Sequence, residues 1–190
     1  MYKRVGASII DGTLPPGYRI RDADLAEQFG VSRMPIREAL QRLERIGLVE
    51  MYPSRYTQVT DVPPKLASMT RAYAGYLSGA IAALAVPLLS DEDREESARL
   101  ARAMNDDLTV GLSDASWTFI SHLAERSENV ILAKLLDETN LLVFRNLRTW
   151  ALTAQEQAHM RAIHEELAQA ILDADGPAAE HLVRAMYLID

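Results

Sequence analysis

The chain has 190 residues, enough for one large or two small domains, and either half could bury a core of its own. Its lack of cysteine excludes disulfides and thiolate metal sites. No apolar run (Ala80–Leu89 is the longest) approaches the roughly 20 residues of a membrane span, and no signal peptide shows, so a cytoplasmic location is expected. The net charge of −7 is uneven: residues 1–62 hold nine Lys/Arg and eight Asp/Glu, net +1, and residues 63–190 hold eleven and nineteen, net −8. An acidic whole does not exclude nucleic acid, because a small DNA-binding unit needs only a local basic face.

Taken in order, Val5–Asp11 reads as a short helix closed by Gly12, followed by the loop Leu14-Pro15-Pro16-Gly17. Asp22–Phe29 reads as a second helix, ended by Gly30 where a left-handed residue is wanted. Ser32 is suited to cap a third helix running to about Ile46, with Pro35 tolerated in its first turn. Two short strands, 48–52 and 56–60, flank the turn Pro53-Ser54-Arg55. Asp61-Val62-Pro63-Pro64 marks the sharpest boundary, since paired prolines stiffen a linker and continue neither a strand nor a helix interior. Six helices are then expected, over 65–87, 90–108, 114–126, 130–149, 154–174 and 177–189. Ser90 before an acidic turn and the Thr153/Glu156 capping box mark two of their starts. The expected fold is mostly α: a winged helix-turn-helix over residues 1–62, then an antiparallel all-α bundle over 63–190. The start at Met1 and the end inside a helix suggest that terminal residues are missing.

On a wheel of about 100° per residue, Ile36, Ala39, Leu40 and Leu43 of the third helix share one face. Arg33, Met34, Arg37 and Gln41 share a sector on the other side. A helix of this kind fits a major groove about 12 Å wide, where arginine can donate two hydrogen bonds to guanine. Ser32 and the helix N-terminus are placed to meet a phosphate, and Arg55 and Tyr56 are expected at the tip of a hairpin that lies against the sugar-phosphate backbone or dips into the minor groove. A solvated face fits the wheel as well, although Arg33 and Arg37, like charges four apart, mildly disfavour it.

Gly12-Thr13-Leu14-Pro15-Pro16-Gly17, followed by Asp24 through Val49 with Ser32-Arg33, Pro35, Arg37, Ala39-Leu40, Leu43 and Gly47-Leu48 in place, resembles the N-terminal winged helix of GntR-type repressors. The resemblance implies that Arg33 and Arg37 contact DNA. It departs at the wing, where Arg-Gly is usual and Arg55-Tyr56 stands; tyrosine tolerates positive φ poorly, so a reshaped wing tip is expected.

The second part resembles, more loosely, the shorter VanR-like branch of FCD effector domains, through Arg71, Leu123–Asn129, His164, Asp175 and Ala179. Many FCD domains hold a divalent metal with an Asp and three His, and the resemblance places those positions on Ser116, Ile120, His164 and near Met186. Only His164 is retained. Asp114 and His122 share a helix face but lie about 12 Å apart along it, and His159 and His164 are poorly spaced for one ion. No metal site and no cofactor is therefore expected. Arg71, Asn140, Arg145 and His164 are the candidate effector contacts on otherwise apolar helices, and a buried arginine would pair with a carboxylate, which a small organic effector can supply. Trp117, Phe119, Ile120 and Met186 instead point to a more apolar effector.

No catalytic residues are expected: there is no cysteine nucleophile, phosphate loop or metalloprotease helix, and Asp137-Glu138 and Glu165-Glu166 look like solvated faces. The expected function is a ligand-responsive repressor that binds double-stranded operator DNA as a homodimer on an inverted repeat. The alternative is a DNA-binding dimer whose helical part senses nothing.

Overall fold

A computed structural model describes residues 1–53 and 55–189. The chain forms two compact units, residues 1–67 with 139–146 and residues 68–138 with 147–190.

The first unit contains α1 (Tyr2–Ile10), β1 (Arg19–Ile20), α2 (Asp22–Phe29), α3 (Arg33–Arg45), β2 (Val49–Tyr52) and β3 (Tyr56–Val59). α1 begins three residues before the expected start. Val5 N–H bonds to Met1 O at 3.0 Å, and the Arg42 guanidinium lies 4.1 Å from the Tyr2 ring centre. α2 ends at Gly30, whose φ of 65° is a left-handed conformation that costs glycine little. α3 is amphipathic, with Ile36, Ala39, Leu40 and Leu43 buried. They join Val5, Ile9, Ile20, Leu25, Leu48, Val49 and Val59 in one core, which also takes in Leu141. The three strands form an antiparallel sheet in the order β1-β3-β2, with Ile20 opposite Thr57 and Tyr52 opposite Tyr56. β1 was not expected. It is two residues long and is defined by its pairing with β3 rather than by any local pattern.

Six α-helices follow among the described residues: α4 (Pro64–Ala85), α5 (Asp91–Ala103), α6 (Asp114–Arg126), α7 (Val130–Leu147), α8 (Ala154–Leu172) and α9 (Gly176–Met186). Where single helices were expected over 65–87 and 90–108, the last turn tightens into 3₁₀ geometry at Val86–Leu88 and Met104–Asp106. Side chains satisfy the free N–H groups that begin α5 to α9. Ser90 accepts from Asp93 N, Asn129 from Ile131 N and Leu132 N, and Asp175 from Ala178 N. Ser113 with Ser116, and Thr153 with Glu156, form reciprocal capping boxes. In the second unit α8 packs on α5 and α9, and α6 packs on α5. Two glycines of α4 allow a close approach, Gly79 to α9 and Gly75 to the residues after it: a Cβ on Gly79 would lie 2.8 Å from Arg184 Cγ, and one on Gly75 2.5 Å from Ile189 Cδ1.

Candidate nucleic-acid interface and helical pocket

With Ile36, Leu40 and Leu43 fixing one face of α3 in the core, the opposite face is left to solvent. Arg33, Met34, Arg37 and Gln41 are all exposed there. α3, β2 and β3 enclose a groove of about 630 Å³. Its lining includes Arg33, Arg37 and Gln41 from the helix and Arg55 and Tyr56 from the hairpin, so five of the seven expected DNA-contacting residues meet in one concave surface. Ser32 and Met34 lie outside that lining, although both are exposed. Ser32 occupies the N-cap position of α3, but its side chain makes no capping hydrogen bond. The expected cap contact is thus absent, and no acidic residue lies in the helix's first turn. The N–H groups there are available to an anion.

Two basic residues that the sequence reading missed join the set. Arg21, the N-cap of α2, lines the same groove. Arg19 of β1 lines an adjoining groove with Tyr18, Arg21 and Arg55, and its guanidinium sits 4.3 Å from the centre of the Tyr56 ring. Among the described residues, none of Arg21, Arg33, Arg37 and Arg55 forms an ion pair. Two other basic residues pack rather than reach outward: Arg4 lies over Phe29 and Arg42 over Tyr2. Glu44 fixes the geometry between helix and hairpin by accepting from Met51 N at 3.0 Å.

In the hairpin, Tyr56 stands where the second strand was expected to begin. This residue is the first of β3, paired with Tyr52, and its backbone is not in the positive-φ region. The rings of Tyr52 and Tyr56 lie 4.7 Å apart, and Arg55 N–H bonds to Tyr52 O at 3.0 Å to close the turn. An aromatic pair thus stands at the base of the turn, and Arg55 is the exposed basic residue beside it. Ser54, part of the expected turn, lies outside the described residues.

In the second unit, a cavity of about 20 Å³ is lined by residues that include Ser116 of α6, Met160 and His164 of α8, and Met186 of α9. This volume suits a single water molecule. Ser116, His164 and Met186 are three of the four positions expected to match metal ligands, and Ile120, the fourth, is buried one turn after Ser116 on α6. The positions converge, but the donors for a divalent ion are missing. The Ser116 hydroxyl accepts from Ser113 N and donates to Ser113 O. Met186 offers a thioether and Ile120 a hydrocarbon. Among the described residues no three His, Cys, Asp or Glu side chains gather to hold a metal, so the residues present do not fit the family's divalent ion.

His164 is 3% exposed, and burial pushes its imidazole down to about 4, against a weaker opposing influence from Glu165. Its Nδ1 lies 2.8 Å from Asn105 Oδ1. With a carbonyl oxygen as partner, Nδ1 carries the proton and Nε2 keeps its lone pair. The other histidines are scattered: His122 Nε2 pairs with Ser97 Oγ at 3.0 Å, and His159 and His181 are exposed.

The four expected effector contacts are divided between the two units. Only His164 lines the cavity. The Arg71 guanidinium lies 5.5 Å from the Trp150 ring centre, and that ring stacks on Tyr187 and presses on Gly111. Asn140 and Arg145 belong to the first unit. Arg145 is buried; it donates through Nη2 to Thr60 O and through Nη1 to Asn146 Oδ1. Burial lowers its pKa, against the nearby Asp61 carboxylate. Its role is to hold the carbonyl at the end of the hairpin, which a sequence pattern gives no means of seeing.

Residues 1–59 match the bacterial regulatory proteins of the gntR family, and residues 75–188 match the FCD domain. The chain belongs to the GntR family and carries an FCD domain. It is 32% identical over 151 residues to the uncharacterized HTH-type transcriptional regulator YdhC of Bacillus subtilis, a match covering 75% of this chain and 66% of YdhC. It is 26% identical to the HTH-type transcriptional regulator LutR of the same organism, over 90% of this chain and 89% of LutR. The solved structure of E. coli McbR/YncC superposes with a TM-score of 0.73 at 22% identity, covering 98% of this chain and 91% of that one, and supports the shared fold. The chain spans about two thirds or less of the length of the first curated relatives it matches. No helix among the described residues is long and apolar enough to cross a membrane.

Proposed function

We propose that this GntR-family chain is a ligand-responsive repressor. In this reading it binds an inverted-repeat DNA operator as a homodimer through α3 and the β2–β3 hairpin, and a small molecule in the FCD domain releases it. The observation that carries the DNA-binding reading is the groove in which Arg21, Arg33, Arg37 and Arg55 stand without ion-pair partners beside an exposed helix. Arg33 and Arg37 read base edges, while Ser32, Arg21 and Arg55 meet phosphates and set register. Dimerisation is supported by α4, where Met69, Tyr73, Tyr76 and Leu84 are exposed along one helical face, an uncommon apolar stripe for a monomer. Release requires the effector to bind the DNA-free arrangement better than the DNA-bound one.

Selection from random DNA followed by fluorescence anisotropy tests this. The expected site is a two-fold symmetric sequence. Arg33→Ala and Arg37→Ala should each weaken binding by about 5- to 150-fold, as loss of one bidentate base contact of about 1–3 kcal/mol implies. Unchanged affinity in the double variant would remove the basis of the reading. The cavity of about 20 Å³ favours a second reading, a DNA-binding dimer whose helical domain senses nothing. Operator release by any member of a metabolite library separates the two.

A further inference from the structure

The pocket of the second unit gathers three of the four positions expected of a metal site, but not the donors of one. The Ser116 hydroxyl is engaged in the α6 capping box, and His164 Nδ1 is held by Asn105, leaving Nε2 as a hydrogen-bond acceptor. Three thioethers, Met104, Met160 and Met186, line the same space, and all are buried. Asp107 is the one charged residue in the lining, and no lysine or arginine is among the lining residues. Of the arginines expected to receive a carboxylate, Arg71 lies over Trp150, and Arg145 belongs to the first unit, where it donates to Thr60 O.

We infer that this pocket is a metal-independent site for a small uncharged molecule that donates a hydrogen bond to His164 Nε2 and lays an apolar body against Met104, Met160 and Met186. An anion would enter with no cation to meet it and with Asp107 at the wall, and burying an unpaired charge is costly. A divalent metal would find one imidazole and the Asp107 carboxylate, which already accepts from Thr109, with no third His, Cys, Asp or Glu gathered beside them among the described residues. A neutral donor satisfies Nε2 and loses little on leaving water. The cavity is near the size of one water, and methionine, unbranched with three rotatable bonds, is the side chain best able to make room. The inference rests on the sensing reading of the helical domain and names the ligand class for it.

The test uses the full chain with ¹³C-labelled methionine methyl groups, titrated with isobutyramide, isobutyrate and zinc chloride, alone and with operator DNA. Isobutyramide should shift the Met104, Met160 and Met186 resonances, binding at least tenfold tighter than isobutyrate. His164→Phe should weaken that binding tenfold or more, and zinc should leave the three methyls unmoved. A Ser116→Asp, Ile120→His, Met186→His variant, which restores the donors, should gain a zinc-dependent rise in Tm. Equal or tighter isobutyrate binding, no response to the amide, a His164-dependent zinc response in the unaltered chain, or a folded triple variant without zinc binding would each overturn the assignment. If isobutyramide shifts the methyls and operator affinity stays constant, the pocket assignment stands and the sensing reading fails.

Discussion

His164 makes the stability of the helical unit depend on pH in a way that can be worked out in advance. Burial holds its imidazole at about 4 in the folded chain, whereas the unfolded chain protonates near 6.5. Between those values the unfolded state binds more protons than the folded one, so stability falls as pH drops. The contribution is fully present above pH 6.5 and is lost progressively down to pH 4. The gap corresponds to roughly 3 kcal/mol in all, most of which has gone by pH 4.5. Urea unfolding of the unaltered chain and of His164→Gln at pH 7.5 and pH 4.5 isolates the effect, because every other titrating group is common to both. The destabilisation caused by the substitution should shrink by about 2–3 kcal/mol at the lower pH. The His164 ring resonances, identified by their loss in the variant, should stay unprotonated from pH 7.5 to pH 5. A midpoint near 6.5, or an equal destabilisation at both pH values, would refute the claim that this imidazole is folded into a dry environment.

Three further outcomes follow from packing and hydrogen bonding. Arg145→Met should lower stability by about 1–3 kcal/mol in thermal unfolding, because it leaves the Thr60 carbonyl without the guanidinium that bonds to it. Gly111→Ala should cost about 1–3 kcal/mol and shift tryptophan emission, since a Cβ there would lie 2.2 Å from Trp150 Cδ2 and the ring must move. Thr153→Ala should remove one side of the α8 capping box at a cost of about 1 kcal/mol, and Thr153→Ser should restore most of it, both read from denaturation midpoints.

The parts of this fold legible in the sequence are those with local causes. The apolar face of α3 repeats with helical period, and the exposed arginines opposite it follow from that period alone. Helix starts at Ser90 and Thr153 were visible because a capping residue and its target lie three positions apart. Arg19 and Arg21 were not legible, because β1 exists through its pairing with residues 57 and 58 and two residues carry no period. Tyr56 was legible as the start of a strand, but its pairing with Tyr52 and the Arg19 guanidinium over its ring were not. Arg145 illustrates the same limit for a single side chain, since its partner lies 85 positions away.

The helical pocket shows why position and chemistry have to be read separately. Ser116, His164 and Met186 sit on three different helices, and what brings them to one cavity is the packing of α6 on α5, α5 on α8 and α8 on α9. That packing is set by buried residues such as Phe119, Leu123, Ile163, Leu167 and Val183, none of which would have to change for a ligand set to be lost. Substituting a metal-binding side chain with Met186 or Ile120 replaces a polar group that needs a partner with one that only needs contact. Ser116 takes the opposite course, turning its hydroxyl back to satisfy the start of its own helix. Each of these side chains serves packing or capping and offers a divalent ion no free donor. Convergence of positions therefore does not carry the chemistry with it, and the function of such a site must be argued from the atoms present: here one lone pair on His164 Nε2, the Asp107 carboxylate and three sulfurs.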